Sequence, residues 1–78
     1  MGSYNRQFRK KGCSFYVQNC FLKDMKTPKD KYYLTVMYKG IYRVVHDAFW
    51  EVPKFASIRE AHAYASACAD EVYDRILT

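Results

Sequence analysis

Glycine, proline and histidine are scarce in this 78-residue chain, which has three, two and two of them respectively. Gly2, Gly12 and Gly40 stand apart from one another, so no glycine-rich loop can cradle a phosphate. His46 and His62, with Cys13, Cys20 and Cys68, show neither a C-x-x-C nor an H-x-x-x-H spacing, so no metal site is expected. No apolar run approaches the roughly 18 residues that span a bilayer. The polar, basic first dozen residues do not read as a secretory leader. Arg6 stands where a myristoylation signal needs Ser or Thr. An odd cysteine count without a leader is the usage of reduced thiols in a cytoplasmic protein, and Cys68, set among alanines, reads as a small apolar packing residue. Nothing in the spacing brings Cys13 or Cys20 to His46 as nucleophile and base. A chain this short also leaves little room for both a core and a deep cleft. These absences predict a protein that is not an enzyme and uses no cofactor.

Aromatic residues are abundant instead: eight Tyr, five Phe and one Trp, in a chain half of whose residues are hydrophobic. Disordered chains are poor in aromatics, so most of this one should fold, and its length allows a single domain. The net charge of +5 is uneven. Residues 1–31 hold eight Lys/Arg against two Asp, whereas residues 32–78 hold five Lys/Arg against six Asp/Glu. The basic excess therefore belongs to the first segment and one loop, and it suits an anionic partner.

Residues 1–12 show no periodicity, and Arg6, Arg9, Lys10 and Lys11 cluster before Gly12, which predicts a mobile basic arm ahead of one domain over 13–78. Residues 13–22 alternate, with Phe15, Val17 and Phe21 on one face and Tyr16, Gln18 and Cys20 on the other, as in a half-buried strand. Residues 23–31, with Pro28 inside a charged run, read as a loop with a basic rim. The β-branched and aromatic residues of 32–38 predict a second strand, Lys39-Gly40 a turn, 41–46 a third strand and 49–52 a short last one before Pro53. Ser57-Ile58-Arg59-Glu60 forms a capping box, and an alanine-rich run follows it to about Leu77. Ile58, Ala61, Ala65, Cys68, Val72 and Ile76 share one stripe of that helix. The fold expected is α+β: a three- or four-stranded antiparallel meander with one C-terminal helix on one face.

A two-residue turn at Lys39-Gly40 sets Tyr38 opposite Ile41, and Val36 opposite Arg43. A similar turn at Asp47-Ala48 would set Val45 opposite Trp50. The core face then collects Leu34, Val36, Tyr38, Ile41, Val45, Trp50 and Val52. The free face collects Tyr33, Thr35, Met37, Tyr42, Val44, His46, Phe49 and Glu51, without Lys or Arg. Such a face is poor for phosphates and suited to protein contact.

Trp50-Glu51-Val52-Pro53-Lys54-Phe55-Ala56-Ser57-Ile58-Arg59-Glu60-Ala61, with Tyr64 and Ala65 beyond, resembles the last strand and helix start of AP2-type and integrase N-terminal DNA-binding domains. That resemblance implies a sheet that reads the major groove, but the free face expected here lacks the arginines for it. In length, missing catalytic groups and exposed aromatic surface, the whole chain resembles small phage accessory proteins of the anti-CRISPR type, which implies an inhibitor that blocks a host machine by binding it.

The functional expectation is a non-enzymatic binding protein of phage or mobile-element origin that occludes a host protein or protein–nucleic-acid complex. Tyr33, Met37, Tyr42, His46 and Phe49 are its expected protein-binding residues, and a second copy of the chain is one partner they would suit. The alternative is a small nucleic-acid-binding module gripping phosphates with Arg6, Arg9, Lys10 and Lys11 and with the loop residues Lys23, Lys26, Lys29 and Lys31.

Overall fold

Two lysine-glycine dipeptides set the topology. Lys11-Gly12 and Lys39-Gly40 both hold positive φ at each residue (52° and 80°; 48° and 81°), the backbone of a tight turn whose twist matches a hairpin. Lys11-Gly12 joins β1 (Gln7–Lys10) to β2 (Cys13–Asn19), and Lys39-Gly40 joins β3 (Tyr32–Tyr38) to β4 (Ile41–Val44). In a computed structural model that describes residues 5–77, with side chains for 5–67 and Ala69, these strands form one antiparallel sheet in the order β1-β2-β3-β4. Helix α1 (Ile58–Leu77) follows and packs on β2, β3 and β1. The chain is thus an α+β meander with one helix near its C-terminus. Of the expected helix stripe, the side chains of Cys68, Val72 and Ile76 lie outside the described residues.

The segment expected as a mobile arm contains a strand. Gln7, Phe8, Arg9 and Lys10 pair with Tyr16, Phe15, Ser14 and Cys13, and the amide of Val17 donates to the Arg6 carbonyl. Side-chain contacts hold this strand down. Phe8 stacks on Phe15 at 5.2 Å between centroids and on His62 of the helix at 4.3 Å. The Lys10 ammonium donates to the carbonyl and hydroxyl of Ser66, at 2.8 and 3.1 Å. The charged sequence concealed the strand because an edge strand needs only one inward apolar residue, here Phe8.

The register of β3 and β4 is the expected one: Tyr38 opposes Ile41 and Val36 opposes Arg43. Cys13, Phe15, Val17, Leu34, Val36, Tyr38 and Val45 are buried on the helix side. Ala61, Ala65 and Ala69, one helical turn apart, are also buried, and their short side chains let the helix lie close to the sheet. Four core assignments fail. Ile41 is 38% exposed, because the helix covers β1 to β3 and leaves β4 open. Phe21 is 67% exposed, because the β2–β3 ladder ends at Asn19–Tyr32 and a 3-10 turn over Leu22–Asp24 follows. Trp50 is 73% exposed and Val52 only half-buried, because residues 49–52 form no strand.

After β4 the Val45 amide donates to the Leu34 carbonyl, and the chain then leaves the sheet. It rejoins at Phe55, which bridges Tyr32 through reciprocal backbone bonds of 2.8 and 3.0 Å. Residues 46–54 are therefore an outward loop set into the fourth strand position.

The helix cap differs slightly from the expected box. The Ser57 hydroxyl accepts the Glu60 amide at 3.1 Å, but the Glu60 carboxylate reaches back to the Ala56 amide at 3.0 Å, one residue before the cap. Ser57→Ala should lower stability by about 1 kcal/mol, the usual cost of losing an N-cap, read in a denaturant titration. Phe8→Ala should cost about 2 kcal/mol, below the usual range for deleting a fully buried Phe because the ring is only half-buried. An unchanged melting midpoint would mean that β1 adds nothing to the folded body.

Candidate protein-docking face

Alternation along the strands decides which side chains point away from the helix. On β3 these are Tyr33, Thr35 and Met37, and on β4 Tyr42 and Val44. Met37 and Tyr42 are direct cross-strand neighbours, 39% and 51% exposed. Thr35, at the centre of the same side, is buried and accepts a hydrogen bond from the Gln18 amide nitrogen at 3.2 Å. A paired polar centre carries a rim of Tyr, Met and Val. The addition of β1 also places Arg9 on this side, at the outer edge beside Ser14, so the face is not wholly without a cation as expected.

The 46–54 loop supplies the other aromatics, and Asp47 organises it. One Asp47 carboxylate oxygen accepts the amides of Phe49 (2.8 Å) and Glu51 (3.0 Å). The Asp47 backbone donates to the Glu51 carbonyl at 2.8 Å and accepts the Trp50 amide at 3.1 Å. Two carboxylate bonds and two backbone bonds fix a loop whose tip residues, Phe49 and Trp50, are the most exposed aromatics of the described residues. Trp50 holds φ 61°, a left-handed backbone that costs a bulky residue on the order of 1–3 kcal/mol. Its ring tilts against His46 at 5.9 Å, and His46 Nδ1 lies 2.8 Å from the Val44 carbonyl, to which it donates. Of the expected docking residues, then, Met37 and Tyr42 adjoin on the sheet, His46 supports Trp50, and Phe49 projects from the loop. Tyr33 lies at the other end of β3.

Tyr33 belongs to an open groove of about 480 Å³. Tyr33, Val44, Val52 and Phe21 are the large apolar and aromatic residues of its lining, and Lys23, Lys26 and Lys54 its cations, against Asp24 alone. It exists because the chain leaves the fourth strand position beside Tyr33. Sequence reading named Lys23, Lys26 and Tyr33 but missed Lys54 and Phe21. A lysine in a strand-to-helix connection has no pattern that points to a loop thirty residues earlier. Phe21, between Cys20 and the charged run from Lys23, carried a usable signal: an aromatic beyond the last paired residue.

The basic residues expected to act together are divided. Arg6 donates to the Asn19 side chain at 2.9 Å and lies over the Tyr32 ring, while Lys10 is bonded to the helix. Lys11 sits in the first turn. Lys29 and Lys31 are exposed in a loop folded around Asp30, whose carboxylate accepts the amides of Lys26 and Thr27.

Cys20 also lines the groove. Burial pushes its thiol above the ordinary value; nearby Lys54 opposes this, and Asp30 and Asp24 add to it. Burial likewise raises Cys13. Protonated thiols are weak nucleophiles. His62 stacks on Phe8 and its Nε2 meets the Asn5 carbonyl. Among the described residues no group of three His, Cys, Asp or Glu is placed to hold a metal ion, and no helix is long and apolar enough to cross a membrane.

Comparison with known protein families, with characterised proteins and with solved structures found no match to this chain. Trp50 is the sole tryptophan, so its emission reports on the loop alone. Asp47→Ala should loosen the loop and lower the steady-state anisotropy of that emission. The cost should be about 1 kcal/mol of stability, with the far-UV circular dichroism of the sheet unchanged.

Proposed function

We propose that this chain is a non-enzymatic binding protein that docks onto another protein through the sheet side opposite the helix and the adjoining 46–54 loop. The observation that carries this reading is the Asp47 loop, which keeps Phe49 83% and Trp50 73% exposed. Neither aromatic belongs to the core cluster, and Trp50 holds an unfavourable backbone at its position. Ordered, exposed aromatics are the side chains that dominate binding energy at protein interfaces, because they bury much area for little lost rotamer freedom. Tyr42 and Met37 extend the apolar surface along the sheet.

The mode of action is occlusion: an exposed aromatic surface can act by covering a partner's own site. The resemblance to small anti-CRISPR-type inhibitors fits a domain of this size with one such face, and a host protein or protein–nucleic-acid complex is the partner class it implies. A cytoplasmic setting agrees with the thiols at Cys13 and Cys20, both free.

The test uses immobilised wild type and the double variant Tyr42→Ser/Phe49→Ser, exposed to source-cell lysate with and without nuclease. Wild type should retain a protein that survives nuclease and high salt, and the variant should lose it while keeping its far-UV circular dichroism. Retention by the variant places the contact elsewhere. Capture that vanishes with nuclease or falls steeply with salt replaces this reading with nucleic-acid binding.

A further inference from the structure

The groove beside the docking face joins two chemistries that rarely meet by accident. Its lining joins apolar and aromatic side chains to three lysines from distant parts of the chain: Lys23 and Lys26 from the loop after β2, and Lys54 from the segment before Phe55. Lys23 lies over the Phe21 ring, with its nitrogen 5.9 Å from the centroid, which sets one charge beside an aromatic of the same lining. The single lining carboxylate is Asp24, and the nearby Asp30 carboxylate is engaged by backbone amides. The local balance is positive, in a recess large enough for one or two side chains.

From this we infer that the groove seats an acidic segment of the partner protein, with one aromatic or aliphatic side chain on Tyr33, Val44 and Val52 and flanking carboxylates at Lys23, Lys26 and Lys54. The inference rests on the docking reading and gives the partner a chemistry. Charge complementarity selects the occupant. The lysines cluster at one compact recess and do not track across the sheet, whose centre is the neutral Gln18–Thr35 pair. An extended polyphosphate needs cations along its length. A short acidic stretch around an apolar anchor needs them only around one pocket, where lysine–carboxylate contacts add to burial of the anchor.

The experiment titrates the full chain, isotope-labelled for amide NMR, with an acetylated and amidated peptide Asp-Glu-Phe-Glu-Asp. Controls are its neutral Asn-Gln-Phe-Gln-Asn counterpart, the anchorless Asp-Glu-Ser-Glu-Asp, and an oligothymidylate of about ten nucleotides, about one single-strand binding site. The acidic phenylalanine peptide should shift amides of residues 20–26, 33, 44 and 52–54. Both control peptides should bind more weakly, and Lys23→Gln/Lys26→Gln/Lys54→Gln should weaken it by about tenfold or more. Lys23 and Lys26 are exposed, Lys54 is half-buried, and none belongs to the core cluster, so the variant should stay folded, checked by its unchanged amide spectrum elsewhere. Equal binding of the neutral peptide, no groove shifts at millimolar acidic peptide, or tighter binding of the oligothymidylate through the same amides would each overturn the inference. Tyr42→Ser/Phe49→Ser leaves the groove intact and should keep the peptide shifts, so a failed groove and a failed docking face give different results.

Discussion

Phe55 is bound to the start of β3 by three backbone contacts: its carbonyl accepts the amides of Lys31 and Tyr32, and its own amide donates to Tyr32. Its ring is buried and meets Tyr64 of the helix at 5.2 Å. One residue thus closes the outward loop, ends the sheet side of the chain and fixes where the helix begins, two residues before the Ser57 cap. Were the fourth strand to run on past Val45, it would pair beside Tyr33, where the groove now opens. The groove, the displayed aromatics of 46–54 and the helix position all depend on this late return.

Most of the sheet was legible because its signals are local. The β3 strand, the Lys39-Gly40 turn and the register they impose follow from alternation and from the one residue type that takes positive φ easily. The same dipeptide at Lys11-Gly12 makes the same turn, and reading it alike would have revealed β1 despite the charges around it. The capping box was legible for the same reason, although its carboxylate bonds Ala56. Residues 49–52 misled because Phe-Trp-Glu-Val has strand composition, whereas the Asp47 carboxylate offers the backbone a competing set of hydrogen bonds. The groove was illegible as a site, since it needs residues 20–26 and 52–54 to meet across β3 and β4, and no spacing encodes that meeting.

The charge of the chain is spent differently from what its linear distribution suggests. Arg6 and Lys10 lie in the strongly basic first segment, yet their side chains fasten β1 to its neighbours and to the helix. Lys54, from the nearly neutral second part, joins Lys23 and Lys26 around one recess. Net charge by segment therefore described where the lysines and arginines are in sequence but not where a field is concentrated.

An open meander has two margins as well as two faces. Here both margins are four-residue strands, β1 with the exposed Arg9 and β4 with the exposed Arg43. Short, charged borders are poor templates for a strand from another chain, because the incoming ladder gains few hydrogen bonds and meets side chains that hold water. The exposed aromatics can then remain at the surface without inviting end-on sheet growth. Pairing between copies through these edges is thereby disfavoured, while Phe49 and Trp50 stay exposed.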